Sequence, residues 1–312
     1  MIKKIFQIAA LLILIFFLIL VAVLGKAHWD IRQVNPALPA LEDIDAKLNA
    51  ANGPVQIRYL LNASQSSPDG SAMTHSSFLF EWSDGTHFLL DVGMDEQGTV
   101  EFGEISESAF GADPIQFHGT IADQLGSAAT RVTGMAFTHL HQDHTGGAAA
   151  LCRKSKQKIS IFQTEWQADW GNIVTDMGRV LLDDAACLSF AKLPEPEVNT
   201  VPGFPGLVTI SAGGHTPGST IYAAKVDGYT WLFSGDITNS KQDLLTNTPK
   251  ALWYSTLMVP ESRKRLETLR TWLASIDRLP HKQVVVSHDL EALQKSGLPK
   301  FRIQSADPRE TL

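Results

Sequence analysis

Residues 138–147 read Thr-His-Leu-His-Gln-Asp-His-Thr-Gly-Gly, and no other stretch of the chain limits the possible folds so tightly. His139, His141, Asp143 and His144 are separated only by Leu140 and Gln142. Imidazole nitrogens and a carboxylate at this density suit zinc and related first-row ions. A helix would scatter the four around its circumference. An extended segment ending in a tight turn would gather them at one edge of a sheet. The run Val132–Thr138, partly β-branched, predicts a strand leading into that turn. Gly146 and Gly147 are expected to supply backbone angles that bulkier residues resist.

Three further ligand-type residues each follow an apolar run. His215 stands in a Gly/Pro turn after Val208-Thr-Ile-Ser, Asp236 follows Tyr229-Thr-Trp-Leu-Phe-Ser-Gly, and His288 follows Val284-Val-Val-Ser. Strand followed by ligand-bearing loop is thus a repeated arrangement, and in a sandwich fold such loops meet along one edge. Strands are expected at 55–61, 78–82, 87–92, 132–138, 158–163, 207–211, 220–225, 230–234 and 283–287. Helices are expected at 104–110, 119–125, 147–155, 164–170, 261–277 and 289–295. In 261–277, Leu266, Leu269, Leu273 and Ile276 recur at helical spacing and give a stripe for a sheet. The mixture suits an α/β domain of two packed sheets with helices outside both.

The order His-x-His-x-Asp-His, His215, Gly-Asp236, His288, with Leu89-Leu-Asp91-Val-Gly93 upstream, resembles the metallo-β-lactamase superfamily across residues 55–290. The resemblance implies an αββα four-layer sandwich. It also implies that His139, His141 and His215 bind one metal, that Asp143, His144 and His288 bind a second, and that Asp236 bridges them. Asp91 would hold a ligand from behind, against the plainer reading of a turn residue before glycine. Asp289 is expected to cap a helix rather than bind metal.

Two divalent ions about 3.5–4 Å apart can share a water and lower its pKa from about 15.7 toward ~7. The expected cofactor is therefore a pair of zinc ions, with manganese, iron or cobalt also compatible with the ligand types. Asp143 could bind with one oxygen and orient the attacking water with the other. Histidine at 141, where a di-iron redox branch of the superfamily has glutamate, favours hydrolysis. Aspartate at 236 argues against true β-lactamases, which have cysteine or serine there. A net charge of −7 without a basic run argues against nucleic acid as partner. The substrate expected is a small molecule, a lactone or other carboxylic ester. A thioesterase of the glyoxalase II kind and a phosphodiesterase are the alternatives within the hydrolases. Outside them stand a mononuclear iron enzyme like persulfide dioxygenases, using His139, His141 and Asp236, and a non-catalytic binding protein.

Lactonases of this type use a tyrosine near the metals. Tyr222 is the preferred candidate and Tyr254 the second, although each reads first as a structural residue. Trp166, Trp170, Met177 and Phe190, and Leu244, Leu245, Trp253 and Leu257 after Asp236, could give the pocket an apolar portion. His75, His87, His118 and His281 receive no role.

Residues 5–24 are apolar except for Gln7, and about 20 such residues span a bilayer as a helix. Lys3 and Lys4 predict a cytoplasmic N-terminus, which places the remainder on the periplasmic or extracellular side. The alternative is a signal peptide cleaved near Gly25 or Ala27, releasing a secreted enzyme. The organisation read from this is 1–26 as anchor or signal, 27–54 as tether, 55–300 as hydrolase domain and 301–312 as polar tail. Cys152 and Cys187 pair in an oxidising compartment or remain as buried thiols. No sequence feature fixes an oligomeric state. If the apolar segment is retained, extraction from cells requires detergent; recovery in an osmotic-shock fraction would show that it is cleaved.

Overall fold

The computed structural model describes residues 2–193 and 198–302; most of the polar tail expected at 301–312 lies outside the described residues. The first sheet contains β1 (Gln56–Ser66), β2 (Ala72–Glu81), β3 (His87–Leu90), β4 (Gln116–Phe117), β5 (Val132–Ala136), β6 (Ile159–Thr164) and β7 (Leu188–Leu193), in the order β4-β1-β2-β3-β5-β6-β7. The second contains β8 (Val198–Thr200), β9 (Leu207–Ser211), β10 (Thr220–Val226), β11 (Tyr229–Phe233) and β12 (Lys282–Val285), in the order β12-β11-β10-β9-β8. Strands β1 to β3 are antiparallel, whereas β3, β5, β6 and β7 run parallel, and β12 runs parallel to β11.

Alternation along each strand sorts side chains into three apolar layers, because successive residues point to opposite faces. Phe78, Phe80, Phe88 and Leu90 of the first sheet meet Tyr222, Trp231 and Phe233 of the second. Leu79 and Leu89 point the other way, onto Ile121, Leu125 and Leu151. Val208, Ile210, Ile221 and Leu232 point out of the second sheet onto Leu266, Leu269, Leu273 and Ile276. The central strands β3, β9 and β11 are therefore buried on both faces along nearly all their length and read as nearly unbroken apolar runs, whereas β7 at the edge of the first sheet is largely exposed. The four-layer αββα sandwich expected from the sequence is present.

The helices are α1 (Ile2–Gln33), α2 (Leu41–Leu48), α3 (Glu96–Phe110), α4 (Ile121–Leu125), α5 (Gln142–Thr145), α6 (Ala148–Ser155), α7 (Glu165–Asp169), α8 (Ile173–Asp183), α9 (Lys241–Thr246), α10 (Arg263–Asp277) and α11 (Leu290–Lys295). Helix α1 is long and apolar enough to cross a membrane, and the core of its apolar stretch is not buried against the domain. It does not end near residue 26 but runs on to Gln33, where Ala27 and Ile31 become buried. In α2, Ile44 and Leu48 join the outer layer of the second sheet. Elements that local pattern did not indicate include β4, β7, β8, α8 and α9. Helix α8 earns its place through tertiary contact. Its Gly178 lies so close to the metal-motif loop that a Cβ there would stand 2.1 Å from the Leu140 carbonyl oxygen.

Cys152 and Cys187 form a disulfide, with Cα atoms 5.4 Å apart, which decides the alternative left open by the sequence. It ties α6 to the approach to β7 across a separation of 35 residues. Closing a loop of that size restricts the unfolded chain. Replacing both cysteines by serine is expected to lower stability by about 2–4 kcal/mol, read as an earlier urea midpoint of tryptophan fluorescence. An unchanged midpoint would show that the bridge adds nothing.

Candidate metal centre

All the loops that carry the sequence candidates open at one end of the sandwich. Asp91 follows β3, His139 to His144 follow β5, His215 follows β9, Asp236 follows β11 and His288 follows β12. Three groups of donor atoms converge there: His139, His141 and His215; His139, His144 and Asp236; and His75, Asp143 and His288. All seven ligand candidates are buried and are brought together. The motif is extended through His139 and His141, then makes one helical turn, α5, that carries Asp143 and His144. Gly146 and Gly147 have φ of −63° and −80°, angles open to any residue, so the expectation that they relieve backbone strain is corrected. Glycine at 147 is required by proximity instead, since a Cβ would stand 2.2 Å from the Val92 carbonyl oxygen.

The outer ring nitrogens determine how the histidines face the centre. His144 Nδ1 is 3.0 Å from Asp91 Oδ2, His215 Nδ1 is 2.6 Å from Glu261 Oε1, and His288 Nδ1 is 2.7 Å from the Thr74 carbonyl oxygen. Thr138 donates its hydroxyl to Asp91 Oδ2 at 2.9 Å, leaving its oxygen to accept from His139 Nδ1 at 3.2 Å. Each acceptor fixes the proton on Nδ1 and aims the Nε2 lone pair inward. His141 is reversed, with Nδ1 facing His215 Nε2 at 3.2 Å. Asp91 adopts φ of 57°, a left-handed conformation that aspartate tolerates better than most residues. It also accepts from the Thr138 amide at 2.8 Å.

The carboxylate of Asp236 occupies the middle. Ring nitrogens of His139, His144, His215 and His288 lie 4.0, 3.5, 3.6 and 3.0 Å from its oxygens. Asp143 Oδ2 is 3.5 Å from His144 Nε2 and 3.5 Å from His288 Nε2. Two donors held about 2.0–2.2 Å from one tetrahedral ion stand about 3.3–3.6 Å apart, so these separations fit shared cations. Inward lone pairs facing a carboxylate repel unless a positive charge lies between them. His139 Nε2, His144 Nε2 and Asp236 Oδ1 are buried without a hydrogen-bond partner, which is the condition a metal relieves.

Electrostatics divide the cluster. Burial, followed by the neighbouring histidines, holds His139 well below its usual pKa and His141 at about 3. Burial, with Lys250 nearby, also lowers His215. These three rings keep their lone pairs free at neutral pH. Burial works against charge on His144 and His288 as well, but Asp91 and Asp143 raise the first and Asp236 the second. Burial would raise the Asp143 and Asp236 carboxyls, yet the surrounding imidazoles hold both well below the usual range.

Four residues at or behind the site were missed or misplaced by the sequence reading. His75, given no role, has Nδ1 3.3 Å from Asp143 Oδ2 and packs edge-on against His288 at 5.1 Å. It lies on β2 before the strand start expected at 78, so no local pattern pointed to it. Glu261, behind His215, accepts from Lys250 Nζ at 3.0 Å, and the same ammonium donates to the Asp236 carbonyl oxygen at 2.9 Å. The pair is buried, and Lys250 and His215 hold Glu261 at about 2 against the effect of burial. Tyr222, preferred as proton donor, is a fully buried strand residue between the sheets, and its hydroxyl has no hydrogen-bond partner. Its place in the inter-sheet core comes from strand alternation. Burial raises the Tyr254 hydroxyl; Lys250, whose Nζ stands 5.5 Å over the ring, works against this, and Asp236, Glu261 and Asp143 add smaller upward effects. Of the apolar candidates, Leu244 is core behind the second sheet and Phe190 is exposed, while Trp253 packs on Phe110 at 5.3 Å beside Tyr254. Asp289 caps α11 by accepting from the Ala292 amide.

The family model described as metallo-beta-lactamase superfamily matches residues 71–288. No curated protein matches the chain. Among solved structures, the chain is similar to an N-acyl homoserine lactone hydrolase with N-hexanoyl-L-homoserine at its catalytic metal centre, with a TM-score of 0.58, 16% identity, and coverage of 80% of this chain and 98% of that one. A dizinc quorum-quenching lactonase in complex with its product gives a TM-score of 0.52 at 14% identity, covering 77% and 92%. A probable metal-dependent hydrolase from Staphylococcus aureus gives 0.51 at 15% identity, covering 76% and 90%. At these identities the likeness is one of fold.

Glu261→Gln removes the charge that orients His215. Metal affinity is expected to fall about 10–100-fold, measured by competition with a chromogenic chelator. Unchanged affinity would mean that Glu261 serves only to neutralise Lys250.

Proposed function

The chain belongs to the metallo-β-lactamase superfamily, and on that premise we propose that it is a dinuclear zinc hydrolase acting on a lactone or other carboxylic ester. His139, His141 and His215 would hold one ion, Asp143, His144 and His288 the other, with Asp236 shared between them. One observation carries the reading: the Asp236 carboxylate faces ring nitrogens from both histidine sets within 4.0 Å. A lone iron held by His139, His141 and Asp236 would leave Asp143, His144 and His288 without a task. The pair of ions supplies an activated water at neutral pH and polarises the carbonyl under attack.

The protein's own groups do the rest. Asp143 would orient the attacking water with one carboxylate oxygen and carry the water's proton to the leaving oxygen. His75, beside Asp143 Oδ2 at 3.3 Å, restricts the rotation of that carboxylate. Tyr254, kept protonated by burial, would donate a hydrogen bond to the departing oxygen while keeping its own proton, in preference to Tyr222. The lactone preference is supported by the similar lactonases and by the apolar side chains beside Tyr254. Helix α1 would anchor the enzyme, with its catalytic domain on the periplasmic or extracellular side.

Protein purified without added metal is expected to contain two zinc ions per chain and to hydrolyse lactones among a panel of lactones, thioesters, phosphodiesters and a chromogenic cephalosporin. Asp143→Ala is expected to abolish turnover while the circular dichroism spectrum is kept. One iron per chain, or normal turnover in that variant, would remove the proposal.

A further inference from the structure

Helix α1 meets the domain beside the loops that carry His215 and Tyr254. Its apolar stretch continues without a break into turns that pack on the domain. Val34 backs onto Gly213, where a Cβ would stand 3.0 Å from the Val34 carbonyl oxygen, and Gly213 lies on the loop leading to His215. His28 Nε2 is 3.1 Å from the Thr256 carbonyl oxygen, and Arg265 donates to Asn35 at 3.1 Å. Thr256 belongs to the π-helical turn Tyr254–Met258. That segment carries Tyr254, whose ring lies 5.5 Å from Lys250 Nζ, the group that also holds the Asp236 carbonyl oxygen, and around it Leu252, Trp253, Leu257 and Met258 are exposed, Leu252 at 66%. Phe110, at the end of α3, is exposed beside Trp253. Trp29, next to His28 on α1, is 67% exposed.

We propose that this rim sits in the lipid interface of the bilayer that α1 crosses, so that the site opens against the membrane. Its substrate is then an amphiphile whose acyl chain stays in lipid while its ester or lactone carbonyl enters between Asp143 and Tyr254. The proposal rests on the hydrolytic reading for its substrate and on a retained α1 for its docking.

Distance supports it. Leu24, the last residue of the apolar run, precedes His28 by four residues, a rise of about 6 Å along a helix. The headgroup layer is itself about 5–8 Å thick on each side of the hydrocarbon. The contact between His28 and Thr256 therefore holds the rim at headgroup depth, with no flexible linker to let it drift away. An exposed tryptophan at that level is what a membrane interface favours. Apolar side chains grouped on an exposed face mark an interaction surface, and here the surface is continuous with the apolar helix. That continuity favours lipid over a second protein.

The test uses the full chain in phosphatidylcholine–phosphatidylglycerol vesicles. A nitrobenzoxadiazole dye is attached at Leu252→Cys or, as a control, at Leu279→Cys; Leu279 precedes β12, at the end of the sandwich remote from His288. Lipids carrying a nitroxide high on the acyl chain are expected to quench the dye at 252 at least twofold more than at 279. Equal quenching at both positions, or recovery from cells of a chain lacking residues 1–24, would overturn the docking and leave the rim to a protein partner. The substrate class is read separately. Leu252→Glu/Met258→Glu is expected to lower the rate on a twelve-carbon acyl ester in vesicles about tenfold and to leave a water-soluble four-carbon ester unaffected. Equal loss on both esters would overturn the substrate assignment. If neither ester is turned over by the unaltered protein, the hydrolytic reading fails and the substrate assignment with it, while the quenching result still decides the docking.

Discussion

A buried carboxylate ringed by imidazole lone pairs is the constraint to which the rest of the structure answers. Asp236 is 7% exposed and has four histidines within 4.0 Å. Charge taken out of water at this density is costly unless opposite charge is brought with it. Cations at the centre would meet that requirement, and the donor groups converge there from loops at one end of the sandwich. The two sheets supply a rigid frame, and four strands, β5, β9, β11 and β12, lead to the seven candidate ligands at the same rim, with β3 bringing Asp91 behind them, so these groups sit on loops whose ends cannot move independently.

The supports behind the ligands are as specific as the ligands themselves. A carboxylate, a hydroxyl, a backbone carbonyl and a second carboxylate each take one Nδ1 proton, so that four rings present Nε2 inward. The Lys250–Glu261 pair is the most demanding of these devices, because both charges are buried. Lys250 also holds the Asp236 backbone, and so joins the first histidine set to the shared carboxylate. A buried ion pair is a weak source of stability; here it fixes orientation. Asp91 does the same for His144 at the cost of a left-handed backbone.

The helix α1, read from sequence as an anchor with a tether behind it, is joined rigidly to the rim of the site through His28, Ile31 and Val34. The one helix long and apolar enough to cross a membrane among the described residues is thereby continuous with the rim of the candidate site. Leu252, Trp253, Leu257 and Met258, unremarkable as single exposed residues, gain meaning from lying where this helix meets the domain.

Much of the fold and most of the site were legible in the sequence. Strand alternation, the apolar runs ending in His215, Asp236 and His288, and the dense motif at 139–144 are local patterns, and local patterns survive translation into structure. What stayed hidden was decided by contact between distant segments. His75 reaches Asp143 from a strand whose start carries no apolar signal. Glu261 lies 46 residues from His215. Tyr222 was drawn into the inter-sheet core by its position in the alternation, and Tyr254 was brought beneath Lys250 by an irregular turn. Gly147 is glycine because of Val92, not because of its own backbone angles. The sequence by itself determined which donors exist and that a sheet edge must gather them. Only the tertiary structure decided which groups stand behind those donors, since the proximity of non-neighbouring side chains depends on packing and leaves no periodic trace along the chain.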